Sequence, residues 1–432
     1  MAKRRTSGTT VLAAVLTLAG WLAAGCWCAQ ADLLSDLVAR CPASPRSFAE
    51  VLDALARLDD SPRCQVFQIG ESAQRRPLLM AEVTDDQSPY PRATLLIIAR
   101  QHGNERAGTE TALALLEHYV AAPTAAEREI LKYLRLVAIP VANPDGAVAE
   151  RRDNARGVDL NRDWSDLSQP ETQAIDAIVR QLQPDAILDL HELPAASGKP
   201  AYATNFVETI GAADGIPPEV SGCTRAVTAA LTAWTRIYDY PLNVYYDEGG
   251  NLDLCHRYFG LRRHFPTFLC EAKTGGGRSL RDRVGFQALS ALVVANQVMH
   301  QRAAQGQGTT ASPSPTPAAS PPAATAATTP APTSPAPPAT VQVRFVPGAD
   351  ARGGEVLASV QGGESVSYVE LTVAGRTRAI SNQRDNSWSL DLAALTPGEH
   401  EMTVTAYGPG EAPLASAGLK LVVSDTQAVS AR

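Results

Sequence analysis

Leu95-Leu96-Ile97-Ile98-Ala99-Arg100-Gln101-His102-Gly103-Asn104-Glu105 decides how the rest of this 432-residue chain reads. Leu95 to Ala99 is an unbroken apolar run, the pattern of a strand buried on both faces. The chain then turns polar, and ERAGTETALALLEHYV (105–120) follows with a helix-like pattern. An imidazole and a carboxylate three residues apart therefore stand just past the carboxyl end of a core strand, where ligands bind in open α/β sheets. Imidazole nitrogen and carboxylate oxygen are a natural ligand pair for zinc. Alone the pair is weak, because His and Glu at this spacing recur by chance, so the remaining sequence must raise or lower its weight.

Working outward, DLLSDLVARC (32–41) and SFAEVLDALARL (47–58) read as amphipathic helices. QVFQIGESAQRRPLLMAEV (65–83) reads as a β-hairpin turning at Gly70 to Arg76. YLRLVAIPVANPDG (133–146) is a buried strand ending in a turn, PETQAIDAIVRQL (170–182) a helix with proline in its first turn, and PDAILDLHEL (184–193) a further buried strand. A helix at 224–238, a strand FPTFLCEA (265–272) and a helix at 286–303 complete the alternation. This predicts an α/β domain over 32–303, with a mixed, largely parallel sheet flanked by helices.

The N-terminus has the form of an export signal over 1–31: Lys3, Arg4 and Arg5, an apolar run from Val11 to Ala24, and a small-residue cleavage site at Ala29-Gln30-Ala31. A competing reading is lipoprotein processing at Cys26, and a third is an uncleaved anchor. Export places the chain in the periplasm, the cell envelope or outside the cell, where disulfides are permitted. Cys41–Cys64 and Cys223–Cys255 are the pairings suggested by proximity along the chain, with Cys270 a buried thiol. Residues 304–340 collapse to Ala, Pro, Ser and Thr, a linker composition that buries no core. From 341 to 426 about seven short alternating strands predict a small all-β sandwich of immunoglobulin-like size without a disulfide. That module has no catalytic cluster, so a spacer, adhesion or cell-surface contact role is its default. Net charge is −7, and no Lys/Arg stripe with interleaved aromatics occurs, which argues against a nucleic-acid partner.

Further segments give weight to His102 and Glu105: Asn143-Pro144-Asp145-Gly146, Arg152-Asp153-Asn154, GVDLNRDW (157–164), LDLHE (188–192), YYDEGGNLDL (245–254) and FLCEAKTG (268–275). Their order and content resemble the zinc metallocarboxypeptidases of the carboxypeptidase A type, over about residues 65–300. A catalytic zinc takes three protein ligands and keeps a position for water. His102, Glu105 and His191 supply such a set, and the resemblance assigns one zinc to these same three. It also implies Glu271 as general base, Arg152 (or, by a one-residue shift, Arg151) for the oxyanion, and Asn161 with Arg162 as the clamp on a substrate's C-terminal carboxylate. Asp159 is implied as the acid orienting His102, Tyr245 (Tyr246 as alternative) as the tyrosine closing over substrate, and Leu252 as part of a specificity pocket for apolar side chains. Glu192 should point away from His191 and serve a local ion pair.

The chain departs from that pattern in three ways. The stretch between Glu105 and His191 is short, Asp163 stands where Asn is usual, and no pro-domain is evident before the first helices. The expected function is an exported peptidase acting on peptides with a free C-terminal carboxylate. Two other readings stay open: a zinc amidohydrolase or deacylase acting on N-acyl amino acids or wall peptides, and a zinc-retaining surface adhesin.

Overall fold

The computed structural model describes residues 26–85, 87–122, 124–194, 204–213, 215–305, 338–347, 353–363, 366–391, 395–408, 412–424 and 429–431. Most of the expected export signal and of the linker lies outside the described residues. Among the described residues, no helix is long and apolar enough to cross a membrane.

The N-terminal half is built on eight strands: β1 (Cys64–Glu71), β2 (Pro77–Val83), β3 (Ala93–Ala99), β4 (Leu134–Ile139), β5 (Ala186–Leu193), β6 (Asn205–Ile210), β7 (Leu242–Asp247) and β8 (Thr267–Lys273). They lie in the order β1-β2-β4-β3-β5-β8-β6-β7. The pairs β3/β4, β3/β5, β5/β8 and β6/β7 are parallel, whereas β1/β2, β2/β4 and β6/β8 are antiparallel. The sheet is thus mixed, as the sequence predicts. Strands β3 and β5 are buried along their whole length, which is why they read as apolar runs without alternation.

Helices cover both faces. On one, Ala107–Ala121, Pro218–Ile237 and Leu280–Gln305 pack in a large core with Leu95, Ile97, Leu188, Leu190 and Cys270. On the other, Pro170–Leu182 and the aromatic turn at Tyr258 and Phe259 pack with Leu96, Ile98 and Ile187. The 47–58 reading is borne out as the helix Phe48–Asp59, opened by a capping box in which Ser47 and Glu50 satisfy each other's backbone N–H groups.

Three corrections follow. Strands β6 and β7 were not expected, because polar residues interrupt NFVETI and LNVYYD. Asn143-Pro144-Asp145-Gly146 is the first turn of a helix, Pro144–Ala149, capped by Asn143, and not a free turn. The cysteine pairings do not form: Cys41, Cys64, Cys223, Cys255 and Cys270 are all free and buried. Cys223 lies in the core of one face and Cys255 in that of the other, with the sheet between them.

The C-terminal strands are β9 (Thr340–Pro347), β10 (Gly353–Gln361), β11 (Tyr368–Val373), β12 (Arg376–Ser381), β13 (Asp385–Asp391), β14 (Gly398–Tyr407), β15 (Pro413–Val423) and β16 (Val429–Ala431). They surround a core that includes Val356, Val369, Trp388 and Val404. Strands β13-β10-β9 form a separate sheet, while β12-β11-β14-β15-β16 continue the N-terminal sheet through an antiparallel β7/β12 pairing, Tyr245 opposite Ala379 and Asn243 opposite Ser381. The junction is sealed by Ile380 in the core of the N-terminal half, by Asn382, which accepts from the Leu242 N–H (3.0 Å) and donates to the Tyr240 carbonyl (3.0 Å), and by Arg378 paired with Glu248 at 2.8 Å.

Candidate metal centre

The polar segment after β3 is held in place before it can hold anything. Arg100 adopts a left-handed backbone (φ 58°), and its buried guanidinium donates to the Gly103 carbonyl at 2.9 Å. Burial lowers this guanidinium's pKa to about 10. Gly103 lies so close to the Pro144–Ala149 helix that a Cβ there would sit 2.0 Å from the Gly146 carbonyl carbon. Asn143 donates to the carbonyls of Gln101 (3.0 Å) and Arg152 (3.2 Å) while capping that helix through the Gly146 N–H (2.8 Å). One side chain therefore ties together the loop bearing His102, the loop bearing Arg152 and a helix start.

Across the sheet, His191 emerges from β5 beside β3. Its Nδ1 lies 3.1 Å from His102 Nδ1 and 2.9 Å from Glu105 Oε2, and His102 Nδ1 lies 2.6 Å from Glu105 Oε1. All three residues are buried. A tetrahedral zinc with arms of about 2.0–2.1 Å has ligand–ligand edges near 3.3 Å, slightly longer than these separations, so the three donors would surround one ion after a small outward shift. The outer imidazole nitrogens fit the same reading. His102 Nε2 lies 3.0 Å from Asp159 Oδ1, and His191 Nε2 lies 3.1 Å from Asp189 Oδ2. The Asp159 carboxylate on His102 Nε2 can hold a proton there and leave the Nδ1 lone pair facing inward, while Asp189 places its charge beside His191 Nε2 without a hydrogen bond from it. Glu105 is further fixed by the Glu192 backbone N–H at 3.0 Å.

The charges agree with this arrangement. Burial works against each ionised group, yet Glu105 and Asp159 raise His102, Asp189 and Glu105 raise His191 well above its ordinary value, and the two imidazoles bring Glu105 down to about 2. The pocket is rich in carboxylates, a charge that a divalent cation would balance.

Glu271 on β8 is directly opposite His191 on β5. Residues opposite each other across a strand pair project to the same face, so Glu271 looks into the site. Its Oε2 has no hydrogen-bond partner among the described residues, and burial pushes its carboxyl up to about 8, with His191 opposing and Glu105 adding to the shift. Arg152, rather than Arg151, reaches the centre: its guanidinium lies 3.3 Å from His102 Nδ1 and 2.8 Å from Asp159 Oδ2, whereas Arg151 donates to the Asn154 carbonyl (2.6 Å). Asn161 is buried beside His191, its Oδ1 accepting from the Cys255 N–H (2.8 Å), and the exposed Arg162 guanidinium donates to the Asn161 carbonyl (2.7 Å). Asp163 binds the N–H groups of Ser168 and Gln169 at the start of the Pro170–Leu182 helix, so it serves the fold and not the metal. Glu192 points away as expected, pairing with Arg283 and accepting from the Ala107 N–H (2.8 Å).

Tyr245 and Leu252, expected toward substrate and not toward the metal, lie on β7 and in the loop that follows it. Tyr245 lies within β7, its ring edge-on to Phe206 at 5.8 Å, where it packs against the C-terminal core. Its backbone pairs with β12, and its ring also packs with Leu193, Phe206 and Leu269 beside the strand ends that carry His191 and Glu271. Leu252 is half-buried in the loop after β7. Conversely, the sequence reading missed Asp189, Gln101 and Trp164. Gln101 donates to Asp189 (2.7 Å) and accepts from the Trp164 indole (2.8 Å), bracing the acid behind His191. The available signal was Asp189 two residues before His191, hence on the same strand face.

A second cluster, Glu208, Asp247 and His256, also gathers ligand atoms. Arg257 already binds Asp247 through two hydrogen bonds of 2.7 and 3.1 Å, so a protein cation neutralises that carboxylate.

Residues 49–205 match the zinc carboxypeptidase family. That span contains His102, Glu105, His191, Arg152, Asp159, Asn161 and Arg162. Carboxypeptidase SOL1 of Arabidopsis thaliana is 32% identical over 32% of this chain and 31% of its own length, and human carboxypeptidase D is 34% identical over 25% of this chain and 9% of its own. The chain thus spans about a third or less of the curated relatives it matches. A metallo-carboxypeptidase crystal structure from Burkholderia cenocepacia superposes with a TM-score of 0.51 at 18% identity, over 60% of this chain and 70% of that one, which shows a shared fold. The family is one of zinc enzymes, in keeping with the donor set.

Proposed function

We propose that this chain is an exported zinc metallocarboxypeptidase that hydrolyses the last peptide bond of peptides bearing a free C-terminal carboxylate. The observation that carries the reading is Glu271, aligned with His191 on the site face with one carboxylate oxygen unpartnered. His102, Glu105 and His191 would hold the zinc, which when bound supplies a Lewis acid and a water made acidic enough to ionise near neutral pH. Glu271, with a carboxyl raised toward neutrality, takes the attacking water's proton and returns it to the leaving amine. Arg152 directs its charge toward the oxygen that becomes anionic, stabilising the transition state more than the bound substrate. Arg162, exposed and always charged, receives the terminal carboxylate. Asn161 positions it, since the Asn161 amide is already engaged with Cys255 and the Arg162 side chain lies on the Asn161 carbonyl.

Export through residues 1–31, and an immunoglobulin-like module over 341–426 that contacts the cell surface, belong to the same proposal. Their support is the basic-apolar-small pattern at the N-terminus and the two sheets around Trp388. The test is a matched pair of peptides with free and amidated C-termini, digested with the zinc-loaded protein and read by mass spectrometry. Loss of single C-terminal residues from the free acid alone is expected. Equal cleavage of both, or cleavage only of N-acyl amino acids, would replace the reading with a different hydrolase.

A further inference from the structure

On the site face a row of side chains runs from the metal set toward the C-terminal module. His191 is opposite Glu271, Glu271 opposite Phe206, Phe206 opposite Asn243, and Asn243 opposite Ser381 on β12. Where this row reaches the module there is a cleft of about 650 Å³. One side is Thr204 and Asn243 of the catalytic half; the other is Gln342 of β9, Ser359 of β10, and Asp385 and Asn386 of β13. The lining mixes amide and hydroxyl groups with Arg344 and the aliphatic Val343, Leu357 and Ala358.

Two of these amides are incompletely satisfied. Asn243 and Asn386 are 6% and 8% exposed, and the Oδ1 of each is buried without a hydrogen-bond partner among the described residues. Orphaned polar atoms of this kind are uncommon in native structures. They stand on opposite sides of one cleft, one from each module. The asparagine χ2 torsion is broad, so the Asn243 amide can turn its oxygen to a donor in the cleft, whereas turning Asn386 gives up its Nδ2 bond to the Gln383 carbonyl (2.9 Å) in exchange.

We infer that this cleft is an extended binding site for the upstream part of the peptide substrate, built jointly by the catalytic sheet and the C-terminal module. The inference rests on the carboxypeptidase reading above and adds to it where the rest of the peptide goes. Strands lie about 4.8 Å apart, which puts Asn243 about 10 Å from Glu271. An extended peptide advances about 3.3 Å per residue, so the cleft begins about three residues before the cut bond. Backbone N–H groups of an extended peptide are the donors that two unpartnered amide oxygens lack. The β7/β12 pairing is then what holds the two walls in register.

The test uses the zinc-loaded full chain carrying Glu271→Gln, which binds peptides without consuming them. Calorimetry measures Kd for a series of two to eight residues that share their last two. Affinity is expected to rise about tenfold between three and six residues, the yield of one or two net hydrogen bonds, and then level off. Asn386→Leu, and independently Ser359→Trp, which fills the cleft from β10, should each abolish most of that rise; if one fails to fold, the other carries the result. An affinity flat with length, a rise that survives a folded cleft variant, or a rise seen only with glycan-bearing peptides would overturn the inference. Turnover by the wild-type chain is read separately. Absent turnover with a length-dependent affinity would sink the hydrolase reading and leave the cleft, whereas turnover with flat affinity would do the reverse.

Discussion

Glu271 carries the sharpest consequence at the scale of single residues. Replacing it with Gln keeps its size and removes its basicity, so Glu271→Gln is expected to retain one zinc per chain while kcat falls by roughly 10²–10⁴-fold. Metal analysis beside turnover checks both halves. The titrating groups around it give a pH dependence whose sign is fixed. His102 and His191 have folded pKa values above their ordinary 6.5, so in the metal-free chain they add stability below that value, and it is lost as pH rises through the raised folded values. Glu271, raised from 4.5 to about 8, acts in the same sense. Zinc replaces those protons, so the gap in Tm between zinc-loaded and metal-free protein should widen from pH 6.5 to 9, as scanning calorimetry would read. A gap that narrowed over this range would contradict the ligand assignment. At this scale most of the site was legible: His102, Glu105, His191 and Glu271 are each anchored at or just after a strand end that the apolar pattern marks. The pairing of Tyr245 with β12 was not, because a motif position carries no information on whether a strand from another module will lie beside it.

Among elements, the tightest constraint is the approach of the loop after β3 to the Pro144–Ala149 helix. Gly103→Ala would drive a methyl group into the Gly146 backbone, and neither backbone has room to yield. The expected outcome is displacement of His102 and a loss of zinc affinity of about 10–100-fold, the usual scale for disturbing what orients a ligand. Competition against a chromogenic chelator measures it, and unchanged affinity would show that the loop relaxes freely. The sequence displayed Asn143-Pro144-Asp145-Gly146 as a turn signal. Its use as a cap that also binds two carbonyls from other loops depends on contacts distant along the chain, which local pattern cannot carry. The same holds for β6 and β7, whose polar residues face a site and a second module instead of water.

For the molecule as a whole, one sheet runs through both modules. Ile380 belongs to the catalytic core although it lies on β12, and Arg378 neutralises Glu248 across the junction with both side chains largely buried. The two modules should therefore unfold together. A single calorimetric transition is expected, and Ile380→Ala should destabilise it by about 2–4 kcal/mol, the scale for emptying a buried aliphatic site. Two separate transitions, or no effect of the substitution, would show that the modules are independent. The sequence marked two domains and the composition break between them. It could not mark their fusion, since an edge strand that accepts a partner looks the same as one that faces solvent.

The account as a whole depends on where a zinc ion goes. An anomalous difference map at the zinc absorption edge, from crystals of the zinc-loaded protein, answers this directly. One peak per chain is predicted, within bonding reach of His102 Nδ1, His191 Nδ1 and the Glu105 carboxylate. A peak instead between Glu208, Asp247 and His256, or none at all, would contradict it.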